Sequence, residues 1–196
     1  MTIEELTPSP VDQSRAISAL TLAFVRDPVM RFFYPEPEAY LSHFPGLARA
    51  FGGAAFESGT AWMSGDQGAA ALWLPSGVAI DAETVGGHLL STIHESKHEA
   101  LGRVYGRAAA YHPEEPHWYL SIIGVDAAHQ GQGLGARLLE VGLERCDREG
   151  ALAYLESSNP ANLSFYERHG FEILAEIGGE DTPSLFPMLR SARTRG

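Results

Sequence analysis

The sequence lacks a long apolar stretch. Although 44% of its 196 residues are hydrophobic, no segment approaches the roughly 18 to 20 consecutive apolar residues that a membrane-spanning helix needs. The opening segment Met1-Thr2-Ile3-Glu4-Glu5 also lacks the basic and then apolar order of a signal peptide. We therefore expect a cytoplasmic protein with no membrane partner.

Cysteine is almost absent, since Cys146 is the single one. One thiol cannot form an internal disulfide and is too few for a zinc cluster. Cys146 falls on the apolar stripe of a predicted helix together with Leu138, Leu139 and Leu143. This position predicts a thiol packed in the core, without a catalytic role.

Basic residues are few. The chain has 14 Lys and Arg against 25 Asp and Glu, which gives a formal net charge of −11, and it contains no basic run. Nucleic-acid binding depends on clustered Lys and Arg, so we expect no nucleic-acid partner. An acidic surface would suit a cationic substrate, and it would equally serve solubility.

The eight histidines form no metal-binding pattern. His94 and His98 lie four residues apart on a predicted helix, a spacing that can bind zinc, but no third ligand follows at a proper distance. We therefore predict no metal site. Aromatic residues could line a pocket for an acceptor, although core packing is their default role: Phe32, Phe33, Tyr34, Trp118 and Tyr119.

Hydrophobic periodicity divides the chain into helices and strands. The first part predicts a short strand, a helix over 10–24, a helical region over 38–56 interrupted at Pro45-Gly46, a hairpin around 65–68 and a helical region over 81–111 that covers or completes a site. The later part predicts a regular series: strand 117–125, helix 133–149, strand 152–156, helix 162–169, strand 171–177 and strand 184–190. We expect one α/β domain over residues 1–190 and a flexible tail over 191–196.

A glycine-rich segment, Gln130-Gly131-Gln132-Gly133-Leu134-Gly135, lies between an apolar strand and an amphipathic helix. Glycines let the main chain approach an anion, and the free N–H groups of the first helical turn point towards it. The segment therefore predicts a phosphate-binding loop.

The same loop leaves a second ligand class open. Gly131-x-Gly133-x-x-Ala136 fits the fingerprint of dinucleotide-binding folds, and Glu156 stands near the distance of the acid that holds a ribose. However, the loop over 126–132 is long for the tight turn of that fingerprint, and too little chain follows Glu156 for a doubly wound sheet. An NAD(P)-binding enzyme is the alternative prediction.

Two motifs resemble the GNAT superfamily of N-acetyltransferases. Gln130, Gly133 and Gly135 match its coenzyme motif Gln/Arg-x-x-Gly-x-Gly/Ala, and residues 162–171 resemble its helix that ends in Tyr-x-x-x-Gly-Phe. Further positions resemble the puromycin N-acetyltransferase branch: Phe24, Asp27-Pro28, residues 117–120 and Met188. The resemblance implies a mixed, mostly antiparallel sheet flanked by helices, with splayed central strands and a coenzyme-binding core at about residues 117–172.

The resemblance also implies that acetyl-coenzyme A is the cosubstrate. Its pantetheine arm would pair with the main chain of Ile123, Gly124 and Val125. Gln130 stands where many relatives have Arg, which removes a charge but keeps a hydrogen bond. The remaining implied contacts are Gly131, Gln132, Gly133, Leu134, Gly135 and Ala136 for the pyrophosphate, and Asn159, Asn162, Phe165 and Tyr166 for the coenzyme arm.

Two residues are predicted to carry the chemistry. Tyr166 matches the general-acid position of the family, and a phenol with a pKa of about 10 can protonate a thiolate whose acid has a pKa near 8.5. Packing beside Phe165 and Phe171 is its alternative role. Glu156 ends a strand beside the site, where it could relay a proton from the ammonium group through water or stand as a solvated acid.

The sequence thus predicts an N-acetyltransferase that acts on a primary amine of an unidentified small molecule. A module that binds acyl-coenzyme A without chemistry is a further alternative, which the proton donor Tyr166 disfavours. We expect a monomer or a homodimer.

Overall fold

The computed structural model of the chain describes residues 2–66, 68–179 and 181–193. Within them, one sheet is built from β1 (Ile3–Glu5), β2 (Ala61–Ser64), β3 (Ala69–Leu74), β4 (His117–Val125), β5 (Leu152–Ser157), β6 (Glu172–Ile173), β7 (Ile177–Gly179) and β8 (Thr182–Arg190). The α-helices are α1 (Pro10–Ala23), α2 (Pro28–Phe33), α3 (Pro37–Gly52), α4 (Ala54–Glu57), α5 (Ala82–Thr92), α6 (His98–Ala108), α7 (Leu134–Glu149) and α8 (Leu163–Arg168). Short 3-10 helices occupy Glu95–Lys97, Ala109–Tyr111, Ala127–His129 and Pro160–Asn162.

The strands lie in the order β1-β2-β3-β4-β5-β8-β6, and β7 pairs with β8 away from this path. The pair β4–β5 is parallel, and α7 supplies the crossover that a parallel pair needs. The other pairs of the described sheet are antiparallel. The predicted mixed sheet is therefore correct, and the doubly wound parallel sheet that the dinucleotide alternative requires is wrong.

Helices cover both faces of the sheet, because the central strands are apolar on both sides. Tyr119 and Tyr154 pack with α1, α2 and α3 on one face. Leu120 and Leu155, the next residues along the same strands, pack with α7 and α8 on the other face. Strand side chains alternate between faces, which explains why consecutive residues of each strand pack on opposite sides of the sheet.

The buried stripe of α7 includes the predicted positions Leu138, Leu139, Leu143 and Cys146. Cys146 is fully buried, and this burial raises the pKa of its thiol to about 12. A neutral thiol enclosed by apolar side chains has no nucleophilic role. The prediction of a packed core cysteine is confirmed.

Four details differ from the sequence-based expectations. Helix α3 continues through Pro45, although an interruption was expected there. The strand expected over 171–177 divides into β6 and β7, and β8 begins at Thr182 instead of 184. His94 caps the 3-10 helix Glu95–Lys97 whereas His98 begins α6, so the two rings are not on one continuous helix.

No helix in the described part of the chain is long and apolar enough to cross a membrane. Of the predicted tail, residues 191–193 have no regular secondary structure and residues 194–196 lie outside the described residues.

Candidate active site

The parallel strands β4 and β5 separate halfway along β4. Their register runs from His117–Leu152 to Leu120–Leu155 and ends there. Beyond this point β4 pairs with β3 alone, and β5 pairs with β8. The predicted splay of the central strands is confirmed, and residues 121–125 of β4 present an unpaired backbone edge towards the gap.

A bulge in β4 accompanies this separation. Leu72 of β3 faces Ile122, whereas the next residue, Trp73, faces Leu120, so Ser121 is the extra residue. The Ser121 hydroxyl donates a hydrogen bond of 2.9 Å to the carbonyl of Leu72. Bulges bend a strand and increase its twist. This bulge therefore turns the second half of β4 away from β5.

A cavity of about 600 Å³ occupies the gap. It brings together most of the predicted site residues: Ile123, Gly124, Val125, Gln130, Gly131, Gly135, Glu156, Asn159, Asn162, Phe165 and Tyr166. The described lining does not include Gln132, Gly133, Leu134 or Ala136. The Leu134 side chain is buried against the α7 core, so only its main chain can serve a ligand at the loop.

The glycine-rich loop is open to a ligand. Gly131 and Gly133 have positive φ angles of 76° and 78°, and a Cβ added at either position would meet no described atom within 4 Å. Gly133 precedes α7, and no side chain of the described residues caps the free N–H groups of that helix. Open space beside uncapped amides at the positive end of a 16-residue helix fits a pyrophosphate group.

Two predicted contact residues also have structural partners. The Gln130 side-chain amide donates a hydrogen bond of 3.1 Å to the Val125 carbonyl, which joins the loop to the end of β4. Gly124 lies under α1, because an added Cβ would stand 2.6 Å from the Cβ of Ala23. Gly124 is therefore required for helix packing, whatever its main chain binds.

Glu156 lies in the cavity on the face that holds Tyr119 and Tyr154. The Tyr154 hydroxyl donates to Oε1 of Glu156 at 3.0 Å, and the Tyr119 hydroxyl donates to Oε2 at 3.1 Å. Burial raises the pKa of the Glu156 carboxyl, and the two phenol hydrogen bonds lower it by a smaller amount. The environment is that of an enclosed acid and differs from the solvated strand end that the sequence left open.

Tyr166 lies on α8 and lines the cavity while 7% of its surface is exposed. Its ring packs in edge contacts against Phe165 and Phe171, with centroid separations of 5.1 and 6.0 Å. Burial raises the pKa of the phenol above its usual value, and the negative charge of Asp27 adds to this effect. Tyr166 therefore combines the packing role with a protonated hydroxyl at the cavity.

Asp27, which is buried, is a second acid of the cavity, and sequence reasoning did not place it among the site residues. Its Oδ1 accepts a hydrogen bond of 3.0 Å from the Met30 amide at the start of α2, and its Oδ2 accepts one of 2.5 Å from the Ser158 hydroxyl. Burial raises the pKa of this carboxyl. An Asp before Pro is typical of a helix cap, and its contact with Ser158, 131 residues further along the chain, leaves no local pattern.

The aromatic candidates for an acceptor pocket and the helical region over 81–111 were both expected to contribute to the site. Of the five aromatic candidates for an acceptor pocket, only Tyr119 lines the described cavity. Trp118 faces the α7 core and donates a hydrogen bond of 2.7 Å to Glu149. The helical region over 81–111 contributes Tyr105 of α6 to the lining, so this region completes the cavity as expected.

Among the described residues, no group of three or more His, Cys, Asp or Glu side chains could hold a metal ion.

Sequence comparison gives one family and several relatives. The model of the Acetyltransferase (GNAT) family matches residues 54–171. An uncharacterized N-acetyltransferase of Schizosaccharomyces pombe is 44% identical over 54 residues, which are 28% of this chain and 22% of that protein. A mycothiol acetyltransferase of Corynebacterium aurimucosum is 32% identical over 108 residues, which are 54% of this chain and 30% of that protein. The chain thus spans less than a third of the length of either relative.

Structural comparison extends over almost the whole chain. A crystal structure of an acetyltransferase from Corynebacterium glutamicum superposes with a TM-score of 0.66 at 22% identity, covering 99% of this chain and 97% of that one. The arylalkylamine N-acetyltransferase 2 of Aedes aegypti superposes with a TM-score of 0.65 at 14% identity, covering 98% and 100%. At these identities the likeness shows a shared fold.

Proposed function

Because this chain belongs to the Acetyltransferase (GNAT) family, we propose that it transfers an acetyl group from acetyl-coenzyme A directly to a primary amine of a small molecule. The family confirms the predicted superfamily, fold and acyltransferase class, whereas the puromycin N-acetyltransferase-like branch stays a prediction. The observation that carries the proposal is the separation of β4 from β5, which opens a cavity lined by the glycine loop, Tyr166 and Glu156.

The donor would lie along the free edge of β4. Acetyl-coenzyme A supplies the activated acetyl group as a thioester, and its pantetheine arm carries amides that can pair with a strand edge. The main chain from Ile123 to Val125 offers such an edge beyond the last β4–β5 pair. Gly131 and Gly133 keep the space beside the α7 amides free for the pyrophosphate, and Asn162 and Phe165 line the cavity between loop and α8.

The acceptor would approach from the opposite face of the sheet. Tyr166 packs with the α7 core, whereas Glu156 shares the face of Tyr154, two residues before it in β5. The gap between the strands is the passage from one face to the other. This arrangement supports direct transfer, because donor and acceptor can meet in the gap without a covalent intermediate on the protein.

Glu156 and Tyr166 would divide the proton transfers. Glu156 accepts a proton from the ammonium group, because attack on the thioester requires a neutral amine, and the raised pKa of its carboxyl strengthens it as a base. Tyr166 donates the proton that the departing sulfur takes up. The raised pKa of Tyr166 makes this donation harder by about 1.4 kcal/mol per pKa unit, although burial of the sulfur in the same cavity raises the pKa of its thiol as well.

Ligand binding and turnover test the proposal together. Acetyl-coenzyme A at about 100 times its dissociation constant should add roughly 2.7 kcal/mol to the free energy of unfolding, visible as a thermal shift, whereas NAD and NADP at the same concentration should add none. Thiol release with a panel of amines then separates an enzyme from a module that only binds the coenzyme. A thermal shift with the dinucleotides alone, or binding of acetyl-coenzyme A with no turnover of any amine, would contradict the proposal.

A further inference from the structure

We infer that the acceptor is a monoamine with an apolar body of about the size of an aromatic ring and no carboxylate beside its amino group, held at the ammonium end by Glu156 and Asp27. This substrate class rests on the function proposed above and deepens it. It follows from the charges of the cavity and from the chemistry of its remaining walls.

The charged side of the cavity is negative and lacks a fixed countercharge. None of the ion pairs found among the described residues includes Glu156 or Asp27. Their hydrogen-bond donors are neutral: the phenols of Tyr119 and Tyr154, the Ser158 hydroxyl and the Met30 amide. Buried carboxylates are usually paired with a cation, so a bound ammonium group would complete this site.

The two acids act on one region of the cavity. Glu156 and Asp27 both line it, and Asp27 accepts a hydrogen bond of 2.5 Å from Ser158, which lies two residues after Glu156. Arg26 also contributes to the lining, but its side chain is exposed. Both carboxylates therefore belong to one wall of the cavity, and the ammonium group of the acceptor is assigned to this wall.

The walls around this cation site are apolar. Phe24 and Phe44 stack with ring centroids 5.5 Å apart, and Phe51 lies against Tyr105 with centroids 6.4 Å apart. Helices α2 and α3 add Met30, Leu47 and Ala48 to the same lining. Such walls favour a hydrophobic substrate body, since apolar surface gains about 25 cal/mol for each Å² removed from water.

The same features disfavour two common classes of amine. An amino acid would bring a carboxylate towards two negative side chains, and like charges in a desolvated site oppose binding by several kcal/mol. A diamine would place its second ammonium group against apolar side chains such as Phe44, Leu47 or Phe51, and burying an unpaired charge there is costly.

A matched series of amines tests the class by the rate of thiol release. 2-Phenylethylamine carries an apolar ring, phenylalanine adds a carboxylate beside the same amine, and 1,4-diaminobutane replaces the ring by a second amine. We expect kcat/KM for 2-phenylethylamine to exceed that of each of the other two by about 100-fold. Binding of acetyl-coenzyme A, measured separately by thermal shift, controls for an intact donor site.

A pair of variants tests which wall of the cavity contacts the apolar body of the acceptor. Phe51→Ala removes a half-buried ring from the cavity wall, whereas Phe32→Ala removes a half-buried ring outside it. We expect Phe51→Ala to lower kcat/KM for 2-phenylethylamine about 10-fold and to change that for the small amine propylamine little. Phe32→Ala should leave the ratio of kcat/KM for 2-phenylethylamine to that for propylamine unchanged.

The outcomes distinguish the two proposals. Faster turnover of phenylalanine or 1,4-diaminobutane than of 2-phenylethylamine would overturn the substrate class and leave the acetyltransferase function standing. If Phe32→Ala and Phe51→Ala lowered the ratio of kcat/KM for 2-phenylethylamine to that for propylamine equally, Phe51 would not be assigned to the wall that holds the apolar body. Absence of turnover with every amine, while acetyl-coenzyme A binds, would overturn the proposed function and the substrate class with it.

Discussion

The Tyr154 hydroxyl donates a hydrogen bond of 3.0 Å to Oε1 of Glu156, two residues further along β5. Residues two apart on a strand share a face, so the bond forms between neighbours on the side of the sheet that faces α1 and α3. Tyr119 of the parallel strand β4 donates to the other oxygen. Glu156 is thus held by one phenol from each of the two strands that separate beside it.

The Tyr154–Glu156 hydrogen bond predicts a shift in the pH dependence of activity. The bond favours the charged carboxylate and lowers its pKa, so Tyr154→Phe should raise the pKa of Glu156. Because Glu156 must be deprotonated to act as a base, the acidic limb of the kcat/KM profile should move to higher pH by about one unit. The measurement is a pH profile of thiol release with a saturating donor.

Tyr34→Phe is the matched control for this shift. The Tyr34 hydroxyl lies 2.7 Å from the Thr92 hydroxyl and does not line the described cavity. Its loss should leave the acidic limb in place. An acidic limb that stays unchanged in Tyr154→Phe, in a folded and active variant, would remove Glu156 from the role of base.

The loop glycine Gly133 is predicted to be required for coenzyme binding. Gly133→Val places a branched side chain at a position with φ of 78°, in the space proposed for the pyrophosphate. Gly150→Val creates the same backbone strain at the other end of α7, where φ is 67° and the surrounding space is also open. Both variants should lose stability by about 1 to 2 kcal/mol, but only Gly133→Val should lose affinity for acetyl-coenzyme A in a titration. Retained affinity in folded Gly133→Val would place the pyrophosphate elsewhere.

Arg190 joins β8 to α7 through a bidentate ion pair. Its guanidinium donates hydrogen bonds of 2.8 and 2.9 Å to the two oxygens of Asp147, and the Arg190 side chain is 3% exposed. Asp147→Ala leaves this buried cation with the His169 carbonyl as an acceptor and should lower the free energy of unfolding by about 3 kcal/mol. Urea unfolding measures the loss.

A control and a pH series sharpen this prediction. Glu99→Ala breaks the exposed pair with Arg103 and should change stability by less than about 0.5 kcal/mol.

Arg190 lowers the pKa of Asp147, so the stabilisation by the Arg190–Asp147 pair is complete above the unfolded pKa of about 3.9 and is lost as the pH falls through the lower folded value. A difference between wild type and Asp147→Ala that persists well below this range would show that the pair is not its origin.

Local patterns predicted the parts of the fold that depend on local sequence. The amphipathic stripe of α7, the apolar strand β4 and the glycine loop between them could be recognised because periodicity and φ preferences act within a few residues. Pro45 shows the limit of this reasoning. The ring normally interrupts a helix, but α3 buries Tyr40 and Phe44 before it and Leu47 after it, and this packing holds the helix continuous.

The lining of the cavity could be predicted only in part. Gln130, Gly131 and Asn162 belong to sequence motifs, whereas Asp27 and Ser158 lie 131 residues apart and meet through the tertiary fold. The contact of Glu156 with Tyr119 likewise depends on the parallel pairing of β4 and β5, which periodicity alone does not determine. For this reason Glu156 and Tyr119 could be named from the sequence without their mutual contact, and Asp27 and Ser158 were missed as site residues.

Tyr166→Phe tests the central claim most directly, because it removes one hydroxyl and keeps the ring that packs against Phe165 and Phe171. Thermal stability and affinity for acetyl-coenzyme A should change little. With a good amine acceptor, and under conditions where chemistry limits the rate, kcat should fall by about 10² to 10⁴ while KM changes less. A folded Tyr166→Phe variant with the kcat of the wild type would contradict the account and leave Tyr166 a packing residue.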